Sequence, residues 1–219
     1  MKLALSLKHY TISPYYNNDE LYHKMTLNVD NNEIITLAGG CFWCIEGAYS
    51  QVKGIVSAIS GYMGGQDENP TYEKICSGNT GHAEVVQITF DKSVITDEEI
   101  LQIFFTLHDP TQLNRQGNDI GTQYRSGVFT HSEDQATVAK KMIADMSADN
   151  MFDQPIVTEV TPASHFYGGE QYHQNYFKNN PENQYCQAVV SPKLAKFRKV
   201  FVSKLMSGCV LEKESRKVI

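Results

Sequence analysis

The residues best suited to carry out chemistry are the two cysteines of the segment Gly-Gly-Cys-Phe-Trp-Cys, residues 39–44. An apolar run predicts a strand over 34–38, two glycines end it, and a helix is predicted from Cys41 to about Val52. A thiol in the first turn of a helix faces unpaired backbone N–H groups and the positive end of the helix dipole. Because this position favours the thiolate, Cys41 is a candidate nucleophile.

Cys44 follows three residues later, so the two side chains are neighbours on a helix and a disulfide between them is feasible. The spacing alone leaves three interpretations open: a redox-active pair, part of a zinc site, or two inert buried cysteines. The zinc interpretation is the weakest, because no second Cys-x-x-Cys or close His pair supplies further ligands. Phe42 and Trp43 are either core aromatics or the walls of a small apolar pocket for a methyl or thioether group.

The elements that must position these residues alternate between strands and helices. Strands are predicted over 34–38, 54–62, 85–90, 125–130 and 156–160. Helices are predicted after Thr96, with Glu99 completing a capping box, and from Ser132 to about Met146. A polar loop is expected over 108–123, and the stretch 162–186 has too few aliphatic residues for a central element. This order predicts an α/β fold, a two-layer sandwich with helices packed on a mixed or antiparallel, ferredoxin-like sheet.

The composition narrows the class of function. The chain has 219 residues, of which 41% are hydrophobic and 20% charged, as in ordinary globular proteins. Its formal net charge of −6 gives no support to nucleic-acid or anionic-membrane binding. No apolar run reaches the ~18 residues that span a bilayer, and the N-terminus lacks the apolar region of a signal peptide. Five cysteines without an export signal indicate a reducing compartment, so we expect a cytoplasmic protein.

Several segments resemble, in the same order, the motifs of class A methionine sulfoxide reductases. The first is Gly-Cys-Phe-Trp at 40–43, followed by Glu46. The others are Gly-Tyr at 61–62 with Gly-Gly at 64–65, Asn-Pro-Thr-Tyr at 69–72, Ile-Cys-Ser-Gly at 75–78, Thr-Gly-His-Ala-Glu-Val-Val at 80–86, His-Asp-Pro-Thr at 108–111, Arg-Gln-Gly-Asn-Asp-Ile-Gly-Thr-Gln-Tyr-Arg-Ser at 115–126, Tyr-His-Gln at 172–174 and Tyr-Cys at 185–186. The likeness covers roughly residues 34–201.

The resemblance implies individual roles. Cys41 matches the attacking cysteine of that family, and Glu84 matches its proton donor. The residues that match its contacts to the sulfoxide are Tyr72 and Tyr124 at the oxygen, Asp119 nearby, and Phe42 and Trp43 at the methyl group. Cys186 matches a resolving cysteine, and Cys44 stands where some members carry another.

The resemblance also implies the activity of a peptide-methionine (S)-S-oxide reductase, which repairs oxidised proteins and reduces free methionine sulfoxide under oxidative stress. Such a protein needs no cofactor and is reduced by thioredoxin. We expect a monomer with a catalytic domain over residues 34–201, between an N-terminal extension (1–33) and a C-terminal tail (202–219).

The chemistry sets a condition on Glu84. A carboxylic acid can protonate the sulfoxide oxygen at neutral pH only if its pKa is raised, from about 4.3 to about 7, which burial can achieve. Oxygen transfer leaves a sulfenic acid on Cys41, which a second thiol converts to a disulfide. We favour Cys186 over Cys44 for the exposed step, because its segment is rich in flexible residues. Cys76 is expected to be a buried structural thiol, and Cys209 has no expected role.

A rival interpretation is a dithiol/disulfide oxidoreductase, or a redox-switched binding module, that uses Cys41 and Cys44. Such a protein would not require Glu84, the two tyrosines or Asp119. His82 and His173 are expected to be hydrogen-bonding scaffold residues.

Overall fold

The computed structural model describes residues 31–207 of the protein. Its strands are β1 (Asn32–Gly39), β2 (Ile55–Met63), β3 (Ala83–Asp91), β4 (Arg115–Gln116), β5 (Asp119–Ile120), β6 (Ser126–Thr130), β7 (Glu159–Pro162) and β8 (Tyr167–Gly168). Its α-helices are α1 (Phe42–Tyr49), α2 (Tyr72–Cys76), α3 (Asp97–Leu107), α4 (Glu133–Ala148), α5 (Tyr176–Asn179) and α6 (Ser191–Val200). A π-helical turn, Cys186–Val190, leads directly into α6. Among residues 31–207, no helix has the length and apolar character needed to cross a membrane.

Six strands form one sheet in the order β7-β6-β1-β3-β2-β8. Neighbouring strands are antiparallel except β6 and β7, which are parallel, so the sheet is mixed. The four central strands belong to a β1-α1-β2-β3-α3-β6 unit, in which β3 lies between β1 and β2. This is the ferredoxin-like arrangement. The predicted fold class is therefore confirmed.

The main hydrophobic core lies on the side of the sheet that faces the helices. Ile35 and Leu37 of β1 and Val86 and Ile88 of β3 are fully buried there and pack in one cluster with Phe104 of α3. Side chains alternate between the faces of a strand, so every second residue of β3 projects to this side. The same alternation places Glu84, two positions before Val86, on the helix side.

Two helices begin as their sequences predict. Thr96 accepts a hydrogen bond from the backbone N–H of Glu99, and the Glu99 carboxylate accepts one from the N–H of Thr96, which completes the predicted capping box. Ser132 caps α4 by accepting from the N–H of Gln135. The side chain of Gln135 does not return to Ser132; it accepts from the N–H of His131 and donates to the carbonyl of Ile34.

The predicted elements differ from the observed ones mainly in the second half of the chain. The last strand of the predicted set, 156–160, is observed as β7 at Glu159–Pro162. The stretch 162–186 contains a further edge strand, β8, and the short helix α5. Hydrophobic periodicity could not reveal β8, because two residues at a sheet edge are held by main-chain pairing to Gly61 and Tyr62. The predicted extension over 1–33 lies almost entirely outside the described residues.

Gly61 provides a test of how the edge strand is held. A Cβ at position 61 would collide with the carbonyl oxygen of Tyr167 in β8 and with the ring of Phe166. We expect Gly61→Ala to reduce the free energy of unfolding by about 1–3 kcal/mol, since these atoms would have to move apart. Gly168→Ala is the matched control, because a Cβ at that position meets no atom within 4 Å. Urea unfolding of both variants measures the difference; equal midpoints would contradict the tight approach at Gly61.

Candidate active site

Cys41 lies at the junction between β1 and α1. It occupies the N-cap position of α1, so the helix begins one residue later than predicted, and Cys41 is 7% exposed. Gly40 precedes it with a φ of 86°, a conformation that favours glycine. A Cβ on Gly40 would lie 2.7 Å from the side chain of Gln116, so the turn also depends on the absence of a side chain. The thiol is thereby held at the helix end, close to the surface but nearly covered.

The expectation that its position favours the thiolate of Cys41 is contradicted by the burial of this side chain. Burial raises the pKa of the Cys41 thiol well above its usual value, and the hydrogen bond to Cys44 and the charge of Glu84 act in the same direction. The same hydrogen bond lowers the pKa of Cys44. Desolvation therefore outweighs the favourable field of the helix end, because few water molecules are left to solvate an anion.

Glu84 lies beside Cys41 in the core. Its side chain is 1% exposed, and Oε2 accepts a hydrogen bond of 3.1 Å from the backbone N–H of Phe42. Residue 84 pairs across the sheet with Tyr62 and projects to the helix side, as the alternation along β3 requires. Burial raises the pKa of Glu84 to about 8, and the negative charge of Asp119 contributes. The carboxyl group consequently keeps its proton at neutral pH.

The residues predicted at the sulfoxide oxygen and beside it come from three different elements around Glu84. Tyr72 is the first residue of α2, Tyr124 closes a 3-10 turn, and Asp119 lies in β5. Burial raises the pKa of both tyrosines, and the charge of Glu84 is the next cause in each case. Both hydroxyl groups are thus protonated donors close to the same carboxyl group.

Aromatic rings surround the first turn of α1. Phe42 is 1% exposed and packs against the rings of Tyr62, at 6.0 Å between centroids, and Tyr72, at 6.5 Å. Trp43 stacks on Tyr176 of α5 with a centroid separation of 3.7 Å and an angle of 5° between the planes. The predicted apolar wall at positions 42 and 43 is therefore continued by residues from distant parts of the chain.

Three further residues complete the site and were not assigned to it from the sequence. Glu170 accepts hydrogen bonds from the Tyr62 hydroxyl, at 2.7 Å, and the Tyr72 N–H, at 2.8 Å. His173 accepts from the indole N–H of Trp43, at 3.2 Å, as the expected scaffold residue. Tyr185 donates to Oδ2 of Asp119, at 2.5 Å. All three lie in or beside motifs of the C-terminal part, but nothing in their local sequence showed which aromatic or acid each would contact.

Two of the remaining cysteines differ in their exposure from what the sequence predicts. Cys76, expected to be buried, is exposed at the end of α2. Cys186, expected in a flexible segment, is 0% exposed. Its N–H is bound by the Asn183 side chain at 3.2 Å. Burial raises the pKa of Cys186, and the charge of Cys44 adds to the shift. Both thiols belong to the same buried hydrophobic cluster. The four cysteines between 31 and 207 are free thiols, and Cys209 lies outside the described residues.

A set of side chains that could bind zinc is absent from the part of the chain that the structure describes. There, no group of three or more His, Cys, Asp or Glu side chains could hold a metal ion.

Comparisons with known proteins point to one family. Residues 33–205 match the family model described as Peptide methionine sulfoxide reductase. A protein of Polynucleobacter asymbioticus named peptide methionine sulfoxide reductase MsrA is 50% identical over 176 residues, covering 80% of this chain and 93% of that protein. Its namesake in Ralstonia nicotianae is 54% identical over 179 residues, covering 80% and 94%.

Two solved structures resemble the fold. The structure of Mxr1 from Saccharomyces cerevisiae in reduced form is 36% identical with a TM-score of 0.66, covering 72% of this chain and 91% of that one. Methionine sulfoxide reductase A of Corynebacterium diphtheriae is 34% identical with a TM-score of 0.62, covering 69% and 76%.

The raised pKa of Glu84 predicts how stability changes with pH. The unfolded chain releases this proton near pH 4.5, whereas the folded protein holds it to about pH 8. The free energy of unfolding therefore falls as pH rises through that interval, by roughly 5 kcal/mol for a shift of this size. Glu84→Gln removes the titrating group, so its stability in urea should fall much less between these pH values. Glu133→Gln, at an exposed position of α4, should keep the wild-type dependence. Parallel curves for wild type and Glu84→Gln would contradict a buried, neutral Glu84.

Proposed function

Since this chain belongs to the peptide methionine sulfoxide reductase family, we propose that it reduces methionine-S-sulfoxide, in proteins and as the free amino acid, with Cys41 as the nucleophile. The observation that carries the proposal is the neutral, buried Glu84 bonded to the backbone N–H next to Cys41. A nucleophilic sulfur and a proton donor then meet in one site that is largely closed to water.

Oxygen transfer is a two-electron exchange between two sulfur atoms. The sulfur of Cys41 attacks the sulfoxide sulfur, and negative charge moves onto the oxygen. Glu84 donates its proton to that oxygen and regains one from the Cys41 thiol, so the net change converts a sulfoxide and a thiol to a thioether and a sulfenic acid. Because both Cys41 and Glu84 are protonated at rest, the thiolate forms only as the oxygen takes up a proton.

The hydroxyl groups of Tyr72 and Tyr124 stabilise the charged oxygen during this step. Their raised pKa values keep them protonated, and donors fixed in advance lower the barrier without reorganising water. Asp119 accepts a hydrogen bond from the Tyr185 hydroxyl and so fixes this side chain in the site. Phe42 and Trp43 receive the methyl group, which suits an aromatic wall.

The sulfenic acid is resolved by a relay of thiols. Cys44 is already hydrogen-bonded to Cys41, so its thiol attacks first, forming a Cys41–Cys44 disulfide and releasing water. Cys186 lies in the same buried cluster as Cys44 and exchanges with this disulfide. The exchange leaves a Cys44–Cys186 disulfide and a free Cys41 thiol. Thioredoxin, the external reductant that the family resemblance implies, then reduces this disulfide. No cofactor takes part in these steps.

The setting of the reaction is part of the same proposal. Residues 34–201 form the catalytic domain, and the protein acts as a monomer in the cytoplasm. The use of cysteine in this chain favours the cytoplasmic location.

A dithiol/disulfide oxidoreductase is the second candidate, favoured by the thiol–thiol hydrogen bond between Cys41 and Cys44. The two functions differ in their substrates. With dithiothreitol as reductant, we expect turnover of the S epimer of N-acetyl-methionine sulfoxide and none of the R epimer. Cys41→Ser should abolish this activity, whereas Cys76→Ser should retain it. Reduction of the R epimer alone would defeat our proposal, and reduction of disulfides without either epimer would defeat it in favour of the rival.

Two variants test the order in which Cys44 and Cys186 act. Cys186→Ser should form one equivalent of methionine at the wild-type rate and then lose thioredoxin-driven turnover, because no later thiol carries the disulfide outward. Cys44→Ser should instead accumulate the Cys41 sulfenic acid, detectable by mass spectrometry after trapping with dimedone. The relay fails as an explanation if Cys186→Ser cycles normally with thioredoxin, or if Cys44→Ser forms its disulfide as fast as the wild type.

A further inference from the structure

Glu46 is a buried acidic residue that the proposed reaction does not use. It lies on α1, three residues after Trp43, and its side chain is 2% exposed. Oε1 accepts a hydrogen bond of 2.8 Å from the backbone N–H of Asn175. Burial raises the pKa of Glu46, and the backbone N–H groups of Asn175 and Tyr176 partly offset that rise. The hydrogen-bond partner of the Glu46 carboxyl group is therefore the protein backbone and not a substrate.

The partner is the beginning of α5. This helix has four residues, and Asn175 at its N-cap has a left-handed φ of 54° and makes no side-chain capping bond. Short helices depend on such caps, because their first N–H groups have no partner within the helix. Glu46 therefore serves as the cap from another helix, and it fixes the residue where α5 begins.

That residue is Tyr176, whose ring stacks on Trp43 at 3.7 Å. Trp43 and Glu46 lie one turn apart on the same helix, so both contact the same short segment of chain. The segment is fastened at its other end by His173, which accepts from the indole N–H of Trp43 at 3.2 Å. The indole ring is thus held between a stacked tyrosine and a histidine, and Glu46 determines where the tyrosine stands.

We propose that Glu46 is a positioning residue that sets the width of the apolar pocket by holding Tyr176 against Trp43. The inference rests on the proposed function in one respect, namely that Trp43 lines the pocket for the methyl group. It predicts an effect on substrate binding rather than on the chemical step, because Glu46 contacts neither Cys41 nor Glu84 among its hydrogen-bond partners.

The required property is hydrogen-bond acceptance, not charge. The Ser60 hydroxyl lies near the Glu46 carboxyl, and neither Oε2 nor the Ser60 oxygen has a hydrogen-bond partner among residues 31–207. A glutamine at position 46 can accept from the Asn175 N–H with its oxygen and donate to Ser60 with its nitrogen. Leucine fills a similar volume and can do neither.

Trp43 is the only tryptophan in the sequence, so fluorescence reports on its surroundings directly. In Glu46→Leu and in Tyr176→Ala, we expect a red-shifted emission and stronger acrylamide quenching than in the wild type. The KM for the S epimer should rise about 3- to 10-fold, the range that an aromatic pair confers. The kcat with dithiothreitol should stay within about twofold, since the lost contact is equal in the ground and transition states. Glu46→Gln should match the wild type in every measurement.

The double variant Glu46→Leu/Tyr176→Ala should be no worse than Tyr176→Ala alone, because Glu46 acts through Tyr176. Additive effects, or a Glu46→Gln protein as impaired as Glu46→Leu, would overturn the proposal. If Glu46→Leu does not fold, Tyr176→Ala remains decisive: unchanged emission and KM would also overturn it. Failure of the proposed function would appear differently, as a wild-type protein without sulfoxide turnover and with the fluorescence differences intact.

Discussion

The site depends on one carboxyl group that is kept out of water beside a thiol. Glu84 stands on a central strand and faces the helices, where the N–H of Phe42 is its only backbone donor among residues 31–207. Desolvation keeps this acid neutral, and the same desolvation keeps Cys41 protonated. Both groups therefore hold their protons until a polar substrate enters, because neither has enough water nearby to support a charge.

A second layer of contacts holds the aromatic wall in place around this pair. Residues 168–176 lie along the edge of β2, where Gln174 bonds to both the N–H and the carbonyl of Ser60. Glu170 holds Tyr62 and Tyr72, and His173 holds Trp43. Each of these side chains is polar, so the segment organises a mainly apolar pocket through hydrogen bonds rather than through hydrophobic packing.

Much of the framework could be predicted because it follows from local rules. Alternation along β3 placed Val86, Ile88 and Phe90 on the core side, and the capping box located the start of α3. The failures concern quantities that depend on distant contacts. Whether Cys76 or Cys186 is covered depends on how the C-terminal part packs, and the pKa of Cys41 depends on how completely its surroundings exclude water. The motifs indicated that residues 72, 84, 119 and 124 belong together, but the spacing of residues could not give the hydrogen bonds that join them.

The complete burial of Cys186 has a consequence for the order of events. Cys186 starts a π-helical turn, a conformation that proteins use sparingly. Tyr185, the residue before it, donates a hydrogen bond to Asp119, and its ring lies edge-on to Trp43 at 5.8 Å. In the proposed relay, an incoming reductant would reach this sulfur only when the turn moves, and that movement would also displace Tyr185 from the pocket. The sulfoxide and the reductant would then use the site in turn, as in ping-pong kinetics.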